Sequence, residues 1–319
     1  MYPWERVKPS QDSTLRIIHE AVIRGHEVAI THPSNLTIRE SVPQSFCKTI
    51  CKGKYTMRVP AFYKQVKFVE EMLPLRDFDV IFMRDNPPMD PIVLNFLDSI
   101  KDDVFCINAV DGLREANNKM YTAAYYDPEK EIIPNTHVSK NIDYLLRVIE
   151  ESENDKMIMK PLDGYGGSGV IIIEKSAKHS IKSLLDFYVN RNEGKSSYVI
   201  LQDLVPGAEG GDVRVLMLNG KPIGALKRVP KDGDARSNIS AGGRVEKYKL
   251  TKEDKILCNK IGEKLVRDGI YYAGLDLIGG KLIEVNVMSP GTITDINKLN
   301  NVRLQEKIID YLEGVIKGK

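Results

Sequence analysis

The stretch 274–290, Gly274-Leu275-Asp276-Leu277-Ile278-Gly279-Gly280-Lys281-Leu282-Ile283-Glu284-Val285-Asn286-Val287-Met288-Ser289-Pro290, reads as two apolar strands around a glycine turn. A Gly-Gly pair between such runs is a hairpin signal. Side chains alternate faces along a strand, so Glu284 and Asn286 share one face while Ile283, Val285 and Val287 take the other. With Gly279, Gly280 and Lys281 as the loop, Ile278 pairs with Leu282 and Asp276 stands opposite Glu284. Opposed carboxylates repel, and a bound cation removes the repulsion. Asp276, Glu284 and Asn286 are therefore candidate ligands for Mg²⁺, which takes one or two carboxylates together with phosphate oxygens and water. An exposed strand face is the plainer reading of the same residues.

Upstream lies a second hairpin, VRVLML (213–218) and PIGALKR (222–228), turning at Asn219-Gly220. A helix over 252–267 separates the two hairpins, and another over 303–317 follows them. Between the first hairpin and the helix, 228–244 (RVPKDGDARSNISAGGR) is a long polar, glycine-rich stretch of the kind that forms lids and binding loops. Arg228, Arg236 and Arg244 offer bidentate contacts to phosphate or carboxylate, as does Arg214 on the hairpin. A strict two-residue turn at Asn219-Gly220 sets Arg214 and Arg228 on opposite faces, so their convergence requires a bulge or a bend.

Further upstream, KMIMK (156–160) and GVIIIEK (169–175) are strands flanking Pro161-Leu162-Asp163-Gly164-Tyr165-Gly166-Gly167-Ser168. Gly164, Gly166 and Gly167 let backbone N–H groups approach an anion. The loop is neither a Walker sequence nor the opening of a helix. Lys160 ends an apolar strand at its mouth, and Lys119 is a second candidate cation. SYVILQDLV (197–205) is a further strand, and helices are expected at 139–151 and 180–190. The carboxy-terminal two-thirds is α+β and rich in antiparallel strands.

The first part is read as a small open α/β domain. A helix over 13–24 is capped by Asp12 or Ser13, HEVAITH and FDVIFMR are strands, and 91–100 and 113–125 are helices. The three units expected are 1–117, 118–203 and 204–319. The chain has 46 basic and 44 acidic residues and a net charge of +2, with no block of like charge, which argues against nucleic-acid and membrane partners. No apolar run is long enough to span a bilayer and no secretion signal opens the sequence, so a cytoplasmic protein with free thiols is expected. Cys47 and Cys51 lack a second Cys/His pair for a zinc site.

Taken in order, Met83 to Asp90, Asn108 to Lys119, Lys160 to Gly164, Asp212 to Leu216, Arg228 to Arg244, Gly274 to Asp276 and Glu284 to Pro290 resemble the prokaryotic glutathione synthetase family of the ATP-grasp superfamily. The resemblance covers most of the chain. It implies an ATP-grasp fold behind an amino-terminal open α/β (pre-ATP-grasp) domain. It also implies an ATP-dependent ligase that joins γ-glutamylcysteine to glycine through an acyl phosphate. ATP phosphates then lie on Lys119, Lys160 and the glycine loop. The backbone at Gln202, Asp203, Leu204 and Val205 holds adenine, and Asp212 holds ribose. Asp276, Glu284 and Asn286 bind Mg²⁺, with Mn²⁺ as an alternative, and Arg214 and Arg228 act on the transferring phosphoryl group. Arg236, Asn238, Gly242, Gly243 and Ser289 form the lid and substrate walls. The family commonly assembles as a homotetramer.

Two departures stand out. The family's first strand has no counterpart before Pro3, and Tyr2 stands where an acidic residue is expected, so an edge of the amino-terminal sheet is left unpaired. Met288 and Gly291 flank Ser289-Pro290 where threonine is more usual, which bears on the acceptor amine. A ligase with another acid and amine, and a nucleotide-binding protein without turnover, are the alternatives.

Overall fold

The computed structural model describes residues 1, 3–162, 167–190, 196–231 and 243–318. The amino-terminal part runs α1 (Ser13–Ile23), β1 (Ala29–Ile30), β2 (Leu36–Arg39), β3 (Val42–Ile50), α2 (Val59–Gln65), β4 (Phe68–Pro74), β5 (Val80–Phe82), α3 (Pro91–Asp98), β6 (Phe105–Ile107) and α4 (Val110–Ala116). Asp12 is the cap of α1, its carboxylate accepting from the Leu15 N–H at 2.6 Å. Leu15, Ile17 and Ile18 turn inward from that helix.

Strands β1, β2 and β4 all pair antiparallel with β3, whereas β5 and β6 form a separate parallel pair. The antiparallel sheet is absent from the sequence reading, because Glu70 and Glu71 on β4 and Gln44 and Lys48 on β3 interrupt the apolar alternation that marks a strand. Among the described residues β5 has no strand partner but β6, so its other edge is unpaired, as expected. A cavity of about 620 Å³ lies against that edge, bounded by α1, β1 and β4. Tyr2 lies outside the described residues. The helix expected over 113–125 is broken at Asn117–Lys119 into α4 and α5 (Met120–Ala123).

The middle part comprises β7 (Thr136–Ser139), α6 (Ile142–Glu151), β8 (Lys156–Pro161), β9 (Ile171–Glu174), α7 (Lys178–Val189) and β10 (Val199–Asp203). Its antiparallel sheet has the order β7-β10-β8-β9. One face packs Met157, Met159 and Leu201 against Leu145 and Ile149 of α6 and Leu185 of α7.

The last part comprises β11 (Asp212–Leu218), β12 (Lys221–Val229), β13 (Arg244–Lys247), α8 (Lys252–Arg267), β14 (Tyr272–Ile278), β15 (Lys281–Asn286), α9 (Ile293–Asn300) and α10 (Leu304–Lys317). Its sheet order is β13-β12-β11-β14-β15, all antiparallel. Val215, Met217, Ala225, Leu275, Leu282 and Val285 cover one face against Leu257, Ile261 and Leu265 of α8. The other face is divided lengthwise. Toward the Asn219-Gly220 turn, Leu216, Leu218, Leu226 and Tyr272 pack on α9 and α10. Toward the Gly279-Gly280 turn the same face is polar.

The outer edge of β15 is covered by α5 and the chain that leads from it into the middle part. The Val285 N–H donates to Thr122 Oγ1 at 3.1 Å and the Leu282 N–H to the Ile132 carbonyl at 2.7 Å. That cover keeps the strand bearing Glu284 from becoming a free edge. Asn108 joins the first part to the last: its amide donates to the carbonyls of Tyr272 and Val287 and accepts from the Tyr272 N–H, fully buried.

Candidate active site

Two bulges build the polar face. In the β11–β12 hairpin, Asn219 and Gly220 both have positive φ, 44° and 74°, the geometry of a two-residue type I′ turn. Leu218 pairs with Lys221 and Met217 with Pro222, but Leu216 pairs with Gly224, leaving Ile223 as an extra residue. Beyond that bulge Arg214 faces Leu226 and Asp212 faces Arg228. The second hairpin repeats the arrangement. Gly279 and Gly280, with φ of 52° and 74°, form the turn alone, so Ile278 pairs with Lys281 rather than with Leu282. The three-residue loop expected from the sequence is thus corrected to two residues. Ile283 is the extra residue there, and it restores the expected opposition of Asp276 and Glu284.

Four charged groups interlock on this face. Arg214 grips Asp276 with two hydrogen bonds, Nε to Oδ1 at 2.5 Å and Nη2 to Oδ2 at 2.9 Å. Arg228 grips Asp212 in the same way, both at 2.6 Å, and its Nη2 also lies 2.9 Å from Asp276 Oδ1. All four residues are buried. Burial by itself raises the Asp276 carboxyl, yet the Arg214 and Arg228 guanidiniums outweigh it and hold the pKa at about 2. Burial likewise works against the Arg228 charge, and Asp276 and Asp212 overcome it and raise its pKa.

The lysines come to the same place from the middle part. Lys160, 6% exposed, ends β8 and donates to Gln202 Oε1 at 2.8 Å, and Gln202 in turn donates to Thr136 Oγ1 at 2.8 Å. Burial lowers the Lys160 pKa to about 8; Glu284 and Asp276 pull it back up and Lys119 pushes it further down. Lys119 Nζ stands 3.4 Å from Glu284 Oε1, and its backbone N–H donates to the Leu162 carbonyl at the start of the glycine loop. Lys119, Lys160, Arg214, Arg228, Asp212, Asp276, Glu284, Asn286 and Gln202 therefore lie around one cleft between two sheets.

Other expected residues are placed less directly. Gln202 lies in β10 paired with both β7 and β8, Asp203 ends the strand paired with β8, and Leu204 and Val205 leave its end. There Val205 and Pro206 pack against the Gly279 turn. Asp203 accepts from the Asn135 amide at 2.8 Å. Gly167 has φ of 77°, whereas Gly164 and Gly166 lie outside the described residues. So do Arg236, Asn238 and Gly242. Gly243 immediately precedes β13, which returns antiparallel to β12 beside Arg228. Arg244 points away, exposed and paired with Glu246 at 2.9 Å. Ser289, with φ of 46°, lies in the loop between β15 and α9.

The oxygen groups suit Mg²⁺ unequally. Glu284 is partly exposed, with the Lys119 ammonium 3.4 Å away as its ion-pair partner among the described residues, and Asn286 donates through its amide nitrogen to Asp276 and to the Gly274 carbonyl. Its amide oxygen accepts nothing among the described residues. A carboxylate and an amide oxygen open to solvent fit a hard cation that keeps phosphate and water ligands. Asp276 differs, because two arginines and Asn286 already occupy its oxygens.

The sequence reading assigned no role to Arg84. It ends the apolar strand VIFM as Lys160 ends KMIM, a shared pattern that marks both. Arg84 is 5% exposed and lies between Thr14 of α1 and the 288–292 loop.

Among described residues no helix is long and apolar enough to cross a membrane. The prokaryotic glutathione synthetase N-terminal domain matches residues 1–114, and the ATP-grasp domain of the same family matches 118–301. The chain is 32% identical to glutathione synthetase of Gloeobacter violaceus, covering 97% of this chain and 94% of that one. It is 33% identical to glutathione synthetase of Synechocystis sp., covering 98% and 97%. Among solved structures, the ATP-grasp ligase PsnB complexed with minimal precursor superposes with a TM-score of 0.62 at 16% identity over 94% of each chain, a likeness of fold alone. With matches across both domains and at full length, the chain belongs to the prokaryotic glutathione synthetase family and is an ATP-dependent ligase of the ATP-grasp fold.

Proposed function

We propose that this cleft joins γ-glutamylcysteine to glycine, converting ATP to ADP and phosphate. The observation that carries the reading is the convergence of Lys119 and Lys160 with the Arg214, Arg228, Asp276 and Glu284 face. Phosphoryl transfer asks a protein for alignment and charge neutralisation more than for covalent help, and this face offers both. Lys160 and Lys119 hold the ATP phosphates, adenine lies along Gln202 to Val205, and ribose lies beside Asp212. A cysteinyl carboxylate oxygen attacks the γ-phosphorus, the bond to ADP breaks, and an acyl phosphate forms. The glycine amine then attacks the acyl carbon and phosphate leaves with the electron pair, while the amine gives up its proton.

Arg214 and Arg228, pre-aligned by their carboxylates, steady the phosphoryl group as charge builds on it. Glu284 and Asn286 would hold Mg²⁺ or Mn²⁺, with Asp276 behind them, and the ion supplies further neutralisation of phosphate charge. Arg236, Asn238, Gly242 and Gly243 belong to a lid that keeps water from the acyl phosphate, and Ser289 lines the acceptor side. The division into 1–117, 118–203 and 204–319, a cytoplasmic location and assembly as a homo-oligomer, a tetramer, complete the proposal.

Incubation with ATP, Mg²⁺, γ-glutamylcysteine and glycine tests it, with phosphate and glutathione measured together. Stoichiometric release of both is expected. Turnover only with a different acid or amine assigns another ligase activity, and ATP binding without phosphate release from any pair removes the ligase reading altogether.

A further inference from the structure

A second cavity, of about 230 Å³, lies between α1, α9 and the start of α10, and none of the cleft residues reaches it. Arg16, Thr294, Asn297, Lys298, Arg303 and Gln305 line its polar side. Among the described residues no carboxylate lines it. Arg16 Nε donates to Thr294 Oγ1 at 2.5 Å, and its two Nη groups hydrogen-bond to no described residue. Arg16 and Lys298 form no ion pair among the described residues, and Asp295 acts on both only from further off. Arg303, by contrast, is already held by Glu20 at 2.8 Å and by Glu306 at 2.5 Å.

Gln305 turns this basic cavity into a donor site. It is only 4% exposed. The Leu304 N–H donates to Asn297 Oδ1 at 2.9 Å, so the Asn297 amide nitrogen is the group that donates to Gln305 Oε1, at 2.7 Å. That contact fixes the Gln305 amide as well. Its oxygen is taken, and Nε2, which can only donate, hydrogen-bonds to no described residue. An enclosed amide nitrogen is costly until something accepts from it. The charge around it calls for the same kind of partner. Burial lowers the Arg16 pKa, Asp295 pulls it back up, and Arg303 lowers it further as a like charge. An anion in the cavity relieves both the repulsion and the vacant donor.

The free donors come from three helices, Arg16 from α1, Lys298 from α9 and Gln305 from α10. A carboxylate offers its two oxygens in one plane, whereas a tetrahedral oxyanion offers acceptors toward all three helices. The volume falls below the roughly 300–1,000 Å³ of pockets for drug-sized ligands, which excludes a nucleotide and admits phosphate. We propose that this cavity binds phosphate, free or as the head of a small monoester, and that the bound anion ties α1, α9 and α10 together. Thr294, which accepts from Arg16, donates to the Gln11 carbonyl at 3.0 Å, and the Ile293 N–H donates to Ser13 Oγ at 3.2 Å. These contacts hold the start of α9 to the start of α1, directly after the loop that carries Ser289. The anion therefore braces the support of that loop without entering the cleft. The inference goes beyond the ligase reading and does not depend on it.

The test is calorimetric titration of the full chain with inorganic phosphate at constant ionic strength. The cleft is first filled with Mg²⁺ and a non-hydrolysable ATP analogue, so that its own cations do not compete. Acetate and glycerol 3-phosphate are titrated in parallel. The wild type should bind one phosphate with a Kd on the order of 1 mM and should bind acetate at least tenfold more weakly. Arg16→Met and Gln305→Leu, each removing a donor to a charged ligand, should weaken phosphate by about 10- to 100-fold. Lys298→Ala, at an exposed residue, should weaken it less. Binding of glycerol 3-phosphate as well assigns the monoester as a ligand, and its failure to bind assigns free phosphate; either result supports an oxyanion site. No phosphate binding by the wild type, or acetate bound as tightly, overturns the proposal whether or not any variant folds. Phosphate affinity unchanged in Arg16→Met and Lys298→Ala also overturns it, as the mark of binding elsewhere.

Discussion

Arg214 and Arg228 share one face of the large sheet although the turn between their strands, Asn219-Gly220, by itself sets them on opposite faces. The residue that reconciles the two is Ile223, unpaired in the ladder between Gly224 and Pro222. Ile283 does the same between Asp276 and the Gly279-Gly280 turn. Side chains on a strand alternate with a period of two, so one extra residue exchanges the faces of everything beyond it. Both halves of the ion-pair cluster depend on such an exchange.

Deletion of Ile223 should therefore be tolerated better than deletion of a neighbour in the ladder. Without it, Gly224 follows Pro222 as a regular pair and Arg228 still meets Asp212. The cost is the packing of Ile223 against the α9–α10 core, on the order of 1–2 kcal/mol for a partly buried side chain. Deletion of Lys227 instead turns Arg228 toward the opposite, apolar face. Phosphate-release assays with chemical denaturation should find turnover in the first variant and none in the second. The reverse order would mean that the bulge, and not the pairing beyond it, shapes the site.

Glu284→Gln should separate function from stability. Glu284 is partly exposed and its ion pair among the described residues, with Lys119, is a long 3.4 Å, so a neutral isostere should alter stability by under about 1 kcal/mol. Turnover should fall by about 100- to 1000-fold, with the Mg²⁺ concentration at half-maximal rate displaced upward. An unchanged Mg²⁺ titration would take Glu284 out of the metal site.

Much of this site is legible in the sequence because its residues break a pattern. Glu284 and Asn286 interrupt an apolar strand, and Lys160 ends one, so each stands out against its neighbours. The opposition of Asp276 and Glu284 is reached with the loop one residue too long, an error that the bulge at Ile283 cancels. What the sequence hides is the bulge itself, since isoleucine suits a paired and an unpaired strand position equally well. The antiparallel sheet of β1 to β4 is hidden for a related reason: its polar residues fall irregularly along short strands. Arg84 carries the same strand-ending signature as Lys160, but only the fold reveals that it is buried, without an ion-paired carboxylate among the described residues.

Asp276→Ala should be the most damaging of the single-residue changes in the cluster. It leaves Arg214 without its carboxylate and strips Arg228 of one of two, both guanidiniums being buried. Removing one partner of a buried pair costs about 3–5 kcal/mol, because the remaining charge is stranded. Since the folded-state pKa of Asp276 is about 2, below the free value of 3.8, the wild-type contribution is complete at neutral pH and is lost as pH falls from about 4 through 2. Urea denaturation at neutral pH should report the loss, and a change within 1 kcal/mol would show that the arginines find other partners.

Lys160 supplies a pH dependence of the same sign in an alkaline window, through a charge that burial opposes. Its folded-state pKa of about 8 lies below the free value of 10.5, so the unfolded chain holds the proton more tightly. Burying the charge therefore costs stability in full below about 8. That cost is relieved as pH rises to 10.5, by about 3 kcal/mol if the whole shift is realised. In ligand-free protein the urea midpoint of the wild type should gain on that of Lys160→Met across this interval. The cation that would meet ATP is lost over the same range, so kcat/KM for ATP should fall about tenfold per pH unit above 8. Lys160→Arg, which keeps its proton, should flatten that limb even if it lowers the plateau. A wild-type profile level through this range would mean that the Lys160 charge takes no part in binding the nucleotide.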